Sequence, residues 1–127
     1  MKRDMDYVRD ILLKIESLDA PRLKDLMNST SDEEYEKLSE HLSLLIDQAG
    51  FLTGIKAHTY GGKNWLNIRL TWTGHEYLDN IRDPEIWQKT KEGAQKVGGF
   101  SLDIMSALAK GLIKKQIEKH TGIELDL

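Results

Sequence analysis

Apolar residues return every three or four positions from Met5 to Leu18, through Val8, Ile11, Leu12 and Ile15, with Asp4, Asp6, Arg9, Asp10 and Lys14 between them. That period predicts an amphipathic helix over about residues 4–18. Asp19-Ala20-Pro21 ends it, because the residue before proline is pushed out of helical space. Leu23, Leu26 and Met27 then suit either an amphipathic turn or two, or an extended segment, before the polar loop Asn28-Ser29-Thr30-Ser31.

Ser31-Asp32-Glu33-Glu34 has the pattern of a capping box, with Ser31 as cap and Glu34 reaching back. Tyr35, Leu38, Leu42, Leu45, Ile46 and Ala49 follow as a buried stripe, and Gly50 stands where a left-handed residue closes a helix. The period then switches to two. Phe51–Ile55 is one strand candidate, and Trp65–Trp72 is another, in which Leu66, Ile68, Leu70 and Trp72 alternate with Asn67, Arg69 and Thr71. Gly61-Gly62-Lys63-Asn64 between them predicts a hairpin turn. On this alternation Trp72 belongs to the core, whereas Trp65 could stand exposed at the hairpin tip.

Thr73-Gly74-His75-Glu76 reads as a second capping box, opening a helix through Tyr77, Leu78 and Ile81. Asp83-Pro84-Glu85 starts the next helix with an acidic cap and proline at its first position, and Gly98-Gly99 closes it. Ser101 caps a last helix whose stripe is Leu102, Met105, Leu108, Ala109, Leu112, Ile113 and Ile117, ending at His120-Thr121-Gly122. Taken together, the pattern predicts a mainly α chain with a small antiparallel β-hairpin, an α+β fold. Its arrangement is a winged helix-turn-helix-like core at 1–83 and a C-terminal helical extension at 84–127, within a single structural domain. The extension is expected to pack on the core, to serve in dimerisation, or both.

Charge complicates this picture. A helix that reads DNA should be basic, since phosphate neutralisation supplies most of the affinity. From Asp32 to Asp47, however, six acids face Lys37 alone, a net of −5. The whole chain of 127 residues carries −3, with the acid concentrated in residues 1–49. Hydrophobic content of 39% with 31% charged residues describes a folded soluble domain, and no apolar run is long enough for a membrane span. Two basic residues near the N-terminus lack an apolar segment behind them, so no secretory signal is expected. The chain has no cysteine, which removes disulfides, thiolate chemistry and cysteine-based zinc sites. Cytoplasm is the expected compartment.

Candidate chemistry is sparse. His75-Glu76 resembles the start of a zinc-protease helix motif, but Asp79 stands where its second histidine belongs. His41, between Leu38 and Leu42, suits the edge of the core, and His58 and His120 suit solvated positions. Gly61-Gly62-Lys63 lacks the spacing of a phosphate loop and has Asn64 in place of a magnesium-binding hydroxyl. Ser31 and Ser101 are explained as caps. No catalytic, cofactor-binding or metal-binding residue is assigned, no cofactor or small-molecule substrate is expected, and the chain is not expected to be an enzyme.

Two binding roles remain. In the first, a non-enzymatic interaction module presents Glu33, Glu36, Glu40 and Asp47 to a protein partner or to a second copy of itself. In the alternative, a DNA-binding regulator touches phosphate through the hairpin wing and C-terminal lysines, namely Lys56, Lys63, Arg69, Lys114 and Lys115. His58 and Tyr60 also lie in that hairpin, although a hairpin tip often carries solvated charges with no partner at all.

The string Met1-Lys2-Arg3-Asp4-Met5-Asp6 with Val8-Arg9 and Ile11-Leu12-Leu13 resembles a domain-of-unknown-function family of prophage and bacterial proteins. The likeness continues through His41-Leu42, Leu44-Leu45, Ala49-Gly50, Leu70-Thr71-Trp72, Gly74-His75-Glu76 and Leu78-Asp79. It extends to Ile81-Arg82-Asp83, Trp87 and the Gly98-Gly99 to Leu108 region, nearly the whole chain. The resemblance implies a phage-associated or bacterial cytosolic protein with a winged-helix-like core. It implies no activity, and no functional residue is carried over from it.

Overall fold

A computed structural model describes residues 2–59, 62–99 and 101–122, with the backbone alone at 59, 62 and 63. The chain is mostly helical with one two-stranded antiparallel sheet. It divides into two compact units, Met1–Glu76 and Tyr77–Leu127.

In the first unit, α1 (Met5–Ser17) begins where the Asp4 carboxylate accepts the Tyr7 N–H, and it buries Met5, Val8, Ile11, Leu12 and Ile15. The ambiguous segment after Pro21 is a single 3-10 turn, Leu23–Leu26, inserting both leucines into the core. Next comes α2 (Asp32–Ser43), continued by a wider π-helical turn, Leu44–Gln48. Gly50, with φ of +69°, turns the chain out of it, and the Phe51 N–H donates back to the Leu45 carbonyl at 2.9 Å.

The hairpin pairs β1 (Leu52–Thr59) with β2 (Gly62–Leu70), so Gly62, Lys63 and Asn64 lie in a strand rather than in the expected turn. Tyr60 and Gly61 lie outside the described residues. Thr53 faces Arg69 and Ile55 faces Leu66, so Gly54 alone opposes both Asn67 and Ile68. In this bulge Asn67 takes left-handed backbone, with φ of +52°, which asparagine tolerates better than most residues. The Ile68 N–H, freed from the ladder, donates to the Pro21 carbonyl at 2.9 Å.

The bulge overturns the expected faces. A slip of one residue exchanges the two sides of a strand. Trp65 is buried at 5% exposure together with Ile68, while Leu66 and Leu70 are half-buried. Trp72, expected in the core, is 79% exposed and starts α3 (Trp72–Ile81) instead of ending the strand.

The cap of α3 also differs from expectation. Thr71, not Thr73, accepts the Gly74 N–H at 3.0 Å and donates to the Gly50 carbonyl at 2.6 Å. Glu76 does not reach back either, since its carboxylate accepts the Trp72 indole N–H at 2.9 Å. Gly74 is required by close approach. A Cβ there would lie 2.1 Å from the Phe51 carbonyl oxygen, a backbone atom that cannot yield.

The second unit holds the rest of α3, α4 (Pro84–Val97) and α5 (Leu102–Thr121). Asp83 caps α4 by accepting the Ile86 N–H, and Gly98 closes it with φ of +77°. Ser101 caps α5 through the Ile104 N–H. Tyr77, Leu78, Ile81, Ile86, Trp87 and Ala94 are buried, and Asn80 donates to the Ser106 hydroxyl at 3.2 Å, tying α3 to α5. The expected α5 stripe is buried only at Met105 and Ala109. Among the described residues no helix is long and apolar enough to cross a membrane.

Candidate interaction surface on the second helix

The inner face of α2 anchors it firmly. Ser31 accepts the Glu34 N–H at 3.2 Å, so the cap forms as the sequence predicts. Glu34 does not close the box on Ser31. Its carboxylate takes hydrogen bonds from the Ser29 hydroxyl and the Asn28 N–H, and these hold it below the ordinary glutamate range. Leu38, His41, Leu42 and Leu45 are buried beneath.

His41 lies deeper than the core edge expected of it, at 1% exposure. Its Nε2 accepts the Asp4 N–H at 3.2 Å, and its Nδ1 lies 2.8 Å from the Lys37 carbonyl. A neutral ring carrying its proton on Nδ1 satisfies both contacts, because only an unprotonated Nε2 can accept. The Tyr7 ring lies alongside, 5.0 Å away between centroids.

The lone cation of α2 is already engaged. Lys37 Nζ lies 3.0 Å from an Asp4 carboxylate oxygen and 4.3 Å from the centre of the Tyr7 ring. Partial burial alone would raise the Asp4 carboxyl, but the Tyr7 N–H and the adjacent Lys37 ammonium outweigh it and leave Asp4 below its ordinary value. Burial first, then the carboxylates of Glu34 and Asp4, push the Tyr7 phenol up.

The outer face presents the opposite picture. Glu33, Glu36, Glu40 and Asp47 are all exposed, and among the described residues none of them forms an ion pair. Spacings of three and four residues set Glu33, Glu36 and Glu40 along one side of α2, and Asp47, in the π-helical turn beyond it, borders the same hollow as Glu40. At its C-terminal end lies an open hollow of about 420 Å³, lined by Glu40, Ser43, Leu44, Asp47, Lys56 and Trp65. The structure therefore brings the four acids together and sets two of them beside a half-apolar recess.

The proposed phosphate contacts are not gathered in the same way. Lys56 is exposed on β1 opposite Trp65, with its Nζ 5.7 Å from the indole centre. Arg69 is exposed opposite Thr53 and donates from Nε to the Asn67 side chain at 3.2 Å. Thr53 and Lys56 are three positions apart on one strand, which alternation sends to opposite faces, so Arg69 and Lys56 do not share one. The Lys63 side chain lies outside the described residues. Lys114 is half-buried with its Nζ 4.0 Å from Glu118, and Lys115 is exposed. His58, His75 and His120 are exposed, and among the described residues no group of histidines and acids could hold a metal ion.

Sequence reasoning missed the recess beside Trp65 and the neutralisation of Lys37. Asn67 in the middle of a strand was the available signal for the first, because asparagine tolerates left-handed backbone. The pairing of Asp4 with Lys37 joins residues 33 positions apart and leaves no local trace.

Residues 2–101 match a protein family described as "Hypothetical protein (DUF2513)". The chain is also 33% identical over 118 residues to an uncharacterized protein of Haemophilus influenzae, covering 92% of this chain and 99% of that one. No solved structure matches it significantly. A family match over most of the chain, joined by a relative that aligns almost end to end, shows that the chain belongs to the DUF2513 family.

Proposed function

We propose that this protein is a non-enzymatic interaction module that docks a basic protein surface on the outer face of α2. The observation that carries this reading is the row of exposed carboxylates, Glu33, Glu36, Glu40 and Asp47, with the one lysine of that helix, Lys37, already paired with Asp4. Phosphate would be repelled by that face, whereas lysines and arginines would be attracted to it, and complementary charge favours encounter and discrimination more than raw affinity. The order of capped helix, hairpin and capped helix supports reading the first unit as winged-helix-like. A phage-associated, cytosolic setting is supported by the family resemblance alone. In such a scaffold the acidic α2 makes protein the better partner than DNA.

Fluorescence anisotropy with two labelled probes tests this reading. One is a lysine- and arginine-rich peptide, the other a mixed-sequence DNA duplex, each titrated at low and near-physiological salt. The expected result is peptide binding that weakens with salt and is lost in the Glu36→Lys, Glu40→Lys variant, with no binding of DNA. Duplex binding that falls steeply with salt and disappears on changing Lys56, Lys63 and Arg69 to alanine would overturn it in favour of the DNA-binding alternative.

A further inference from the structure

A hollow of about 260 Å³ lies where the exit of α1 meets the end of β2 and the first turn of α3. Glu16 and Asp19 line it from the first of these segments, Arg69 and His75 from the other two, and Leu18 and Leu70 add apolar surface. It shares no residue with the acidic face of α2.

Strained backbone marks this place. Ala20 and Asn67 are the two non-glycine residues with left-handed backbone among those described, at φ of +46° and +52°. Alanine has no side-chain hydrogen bond to offset that conformation, and Pro21 after it narrows its choices further. Ala20 lines the hollow itself, and Asn67 directly precedes Ile68, Arg69 and Leu70, which line it as well. The bond from the Ile68 N–H to the Pro21 carbonyl, at 2.9 Å, ties the two strained segments together. Backbone strain persists where the surrounding structure fixes it, and ligand clamps are among such places.

The charges around the hollow do not cancel one another. Asp19, Arg69 and His75 are exposed, and Asp19 pairs with neither of the other two. Arg69 is oriented by its Nε, which donates to the Asn67 side chain at 3.2 Å. Its two terminal nitrogens have no partner among the described residues. Such a pair of nitrogens suits a carboxylate, and the His75 ring offers a further N–H in either tautomer. Asp19 and Glu16 suit an ammonium group. A ligand of one sign would satisfy one wall and meet its own charge on the other. The volume lies below the roughly 300–1,000 Å³ of pockets for drug-sized molecules, so the ligand is small.

We propose that this hollow binds a small zwitterion, an α-amino acid with an aliphatic side chain. Its carboxylate meets Arg69 and His75, its ammonium group meets Asp19 and Glu16, and its side chain lies against Leu18 and Leu70. The site does not depend on the reading of α2.

Amide NMR of the full chain, titrated with L-leucine at neutral pH, tests the proposal. For so small a ligand the expected Kd is on the order of 1 mM, so the titration runs to about 10 mM. Amide shifts are expected at Leu18, Asp19, Arg69 and His75. Two analogues separate the walls: isocaproate lacks the ammonium group, and leucinamide lacks the carboxylate. Each should bind about tenfold or more weakly than leucine. Asp19→Asn should remove the preference for leucine over isocaproate, and Arg69→Gln the preference over leucinamide. Both replace exposed side chains, and circular dichroism should show both folded. No shifts with leucine at the highest concentration would overturn the proposal, as would shifts confined to other residues. An analogue that binds as tightly as leucine, or preferences that both substitutions leave intact, would overturn it too.

Discussion

α2 and α5 open in the same way and end differently. Each starts at a serine that accepts an N–H three residues on, and each carries charge of one dominant sign on its exposed side. α2 is held along its length, since Leu38, His41, Leu42 and Leu45 are all buried and the two His41 ring nitrogens meet backbone groups from two different helical segments. α5 is held at one end, with Met105 and Ala109 buried and its last ten residues half-buried or exposed. The difference shows that helix length is a local property while helix anchoring is not. An acidic face on a rigid support suits recognition, whereas a basic face on a lightly held helix end can adjust to what it meets.

The largest expected effect comes from attacking the anchored helix. His41→Ala removes buried volume and leaves the Asp4 N–H without its acceptor, so it should destabilise the protein by about 2–4 kcal/mol in urea or thermal unfolding. A loss below about 0.5 kcal/mol would mean that α2 is no better anchored than the end of α5. A smaller effect of opposite sign is expected at Gly111, inside α5, where an added Cβ meets nothing within 4 Å. Gly111→Ala should therefore stabilise the chain by up to about 1 kcal/mol through helix propensity. A destabilised variant would mean that this part of α5 already lies against something.

The smallest effect concerns pH, and it tests the link from Asp4 to α2. The folded Asp4 carboxyl titrates below its ordinary value of 3.8, so its contribution is fully present above that pH. It is lost as pH falls through the lower folded value. Asp4→Asn should flatten the loss of stability in that acid range and leave the stability of the remaining protein nearly independent of Lys37→Met. An unchanged acid slope in Asp4→Asn would show that the Asp4–Lys37 contact does not couple α1 to α2.

Much of the local architecture was legible in the residues. α1 spans Met5–Ser17 where the apolar period placed a helix at about 4–18, and Ser31, Asp83 and Ser101 all cap the helices that follow them. Glycines 50, 98 and 122 each adopt the left-handed backbone that closes a helix. The misread elements lie where a local signal had more than one solution. Spacing favours Thr73, which has Glu76 three residues on, yet Thr71 accepts the Gly74 N–H where Gly74 packs against the Phe51 carbonyl. Trp65 and Trp72 both fit an alternating strand, and the bulge at Asn67 decides which of them is buried.

The candidate surface divides along the same line. That Glu33, Glu36 and Glu40 share a face follows from helical spacing alone, because each step spans no more than four residues, whereas Asp47 joins Glu40 only through the π-helical turn between them. That no cation on the helix is free to neutralise them follows from Lys37 meeting Asp4 and Tyr7 on α1. That two of them border a recess follows from the hairpin register that sets Trp65 inward. The sequence by itself therefore determined α1, the caps at Ser31, Asp83 and Ser101 and the acidic stripe of α2, all of which are set by contacts within about one or two helical turns. The burial of His41, the exchange of Trp65 for Trp72 and the free charge of α2 were decided only by tertiary structure, since each depends on pairing between segments far apart in the chain.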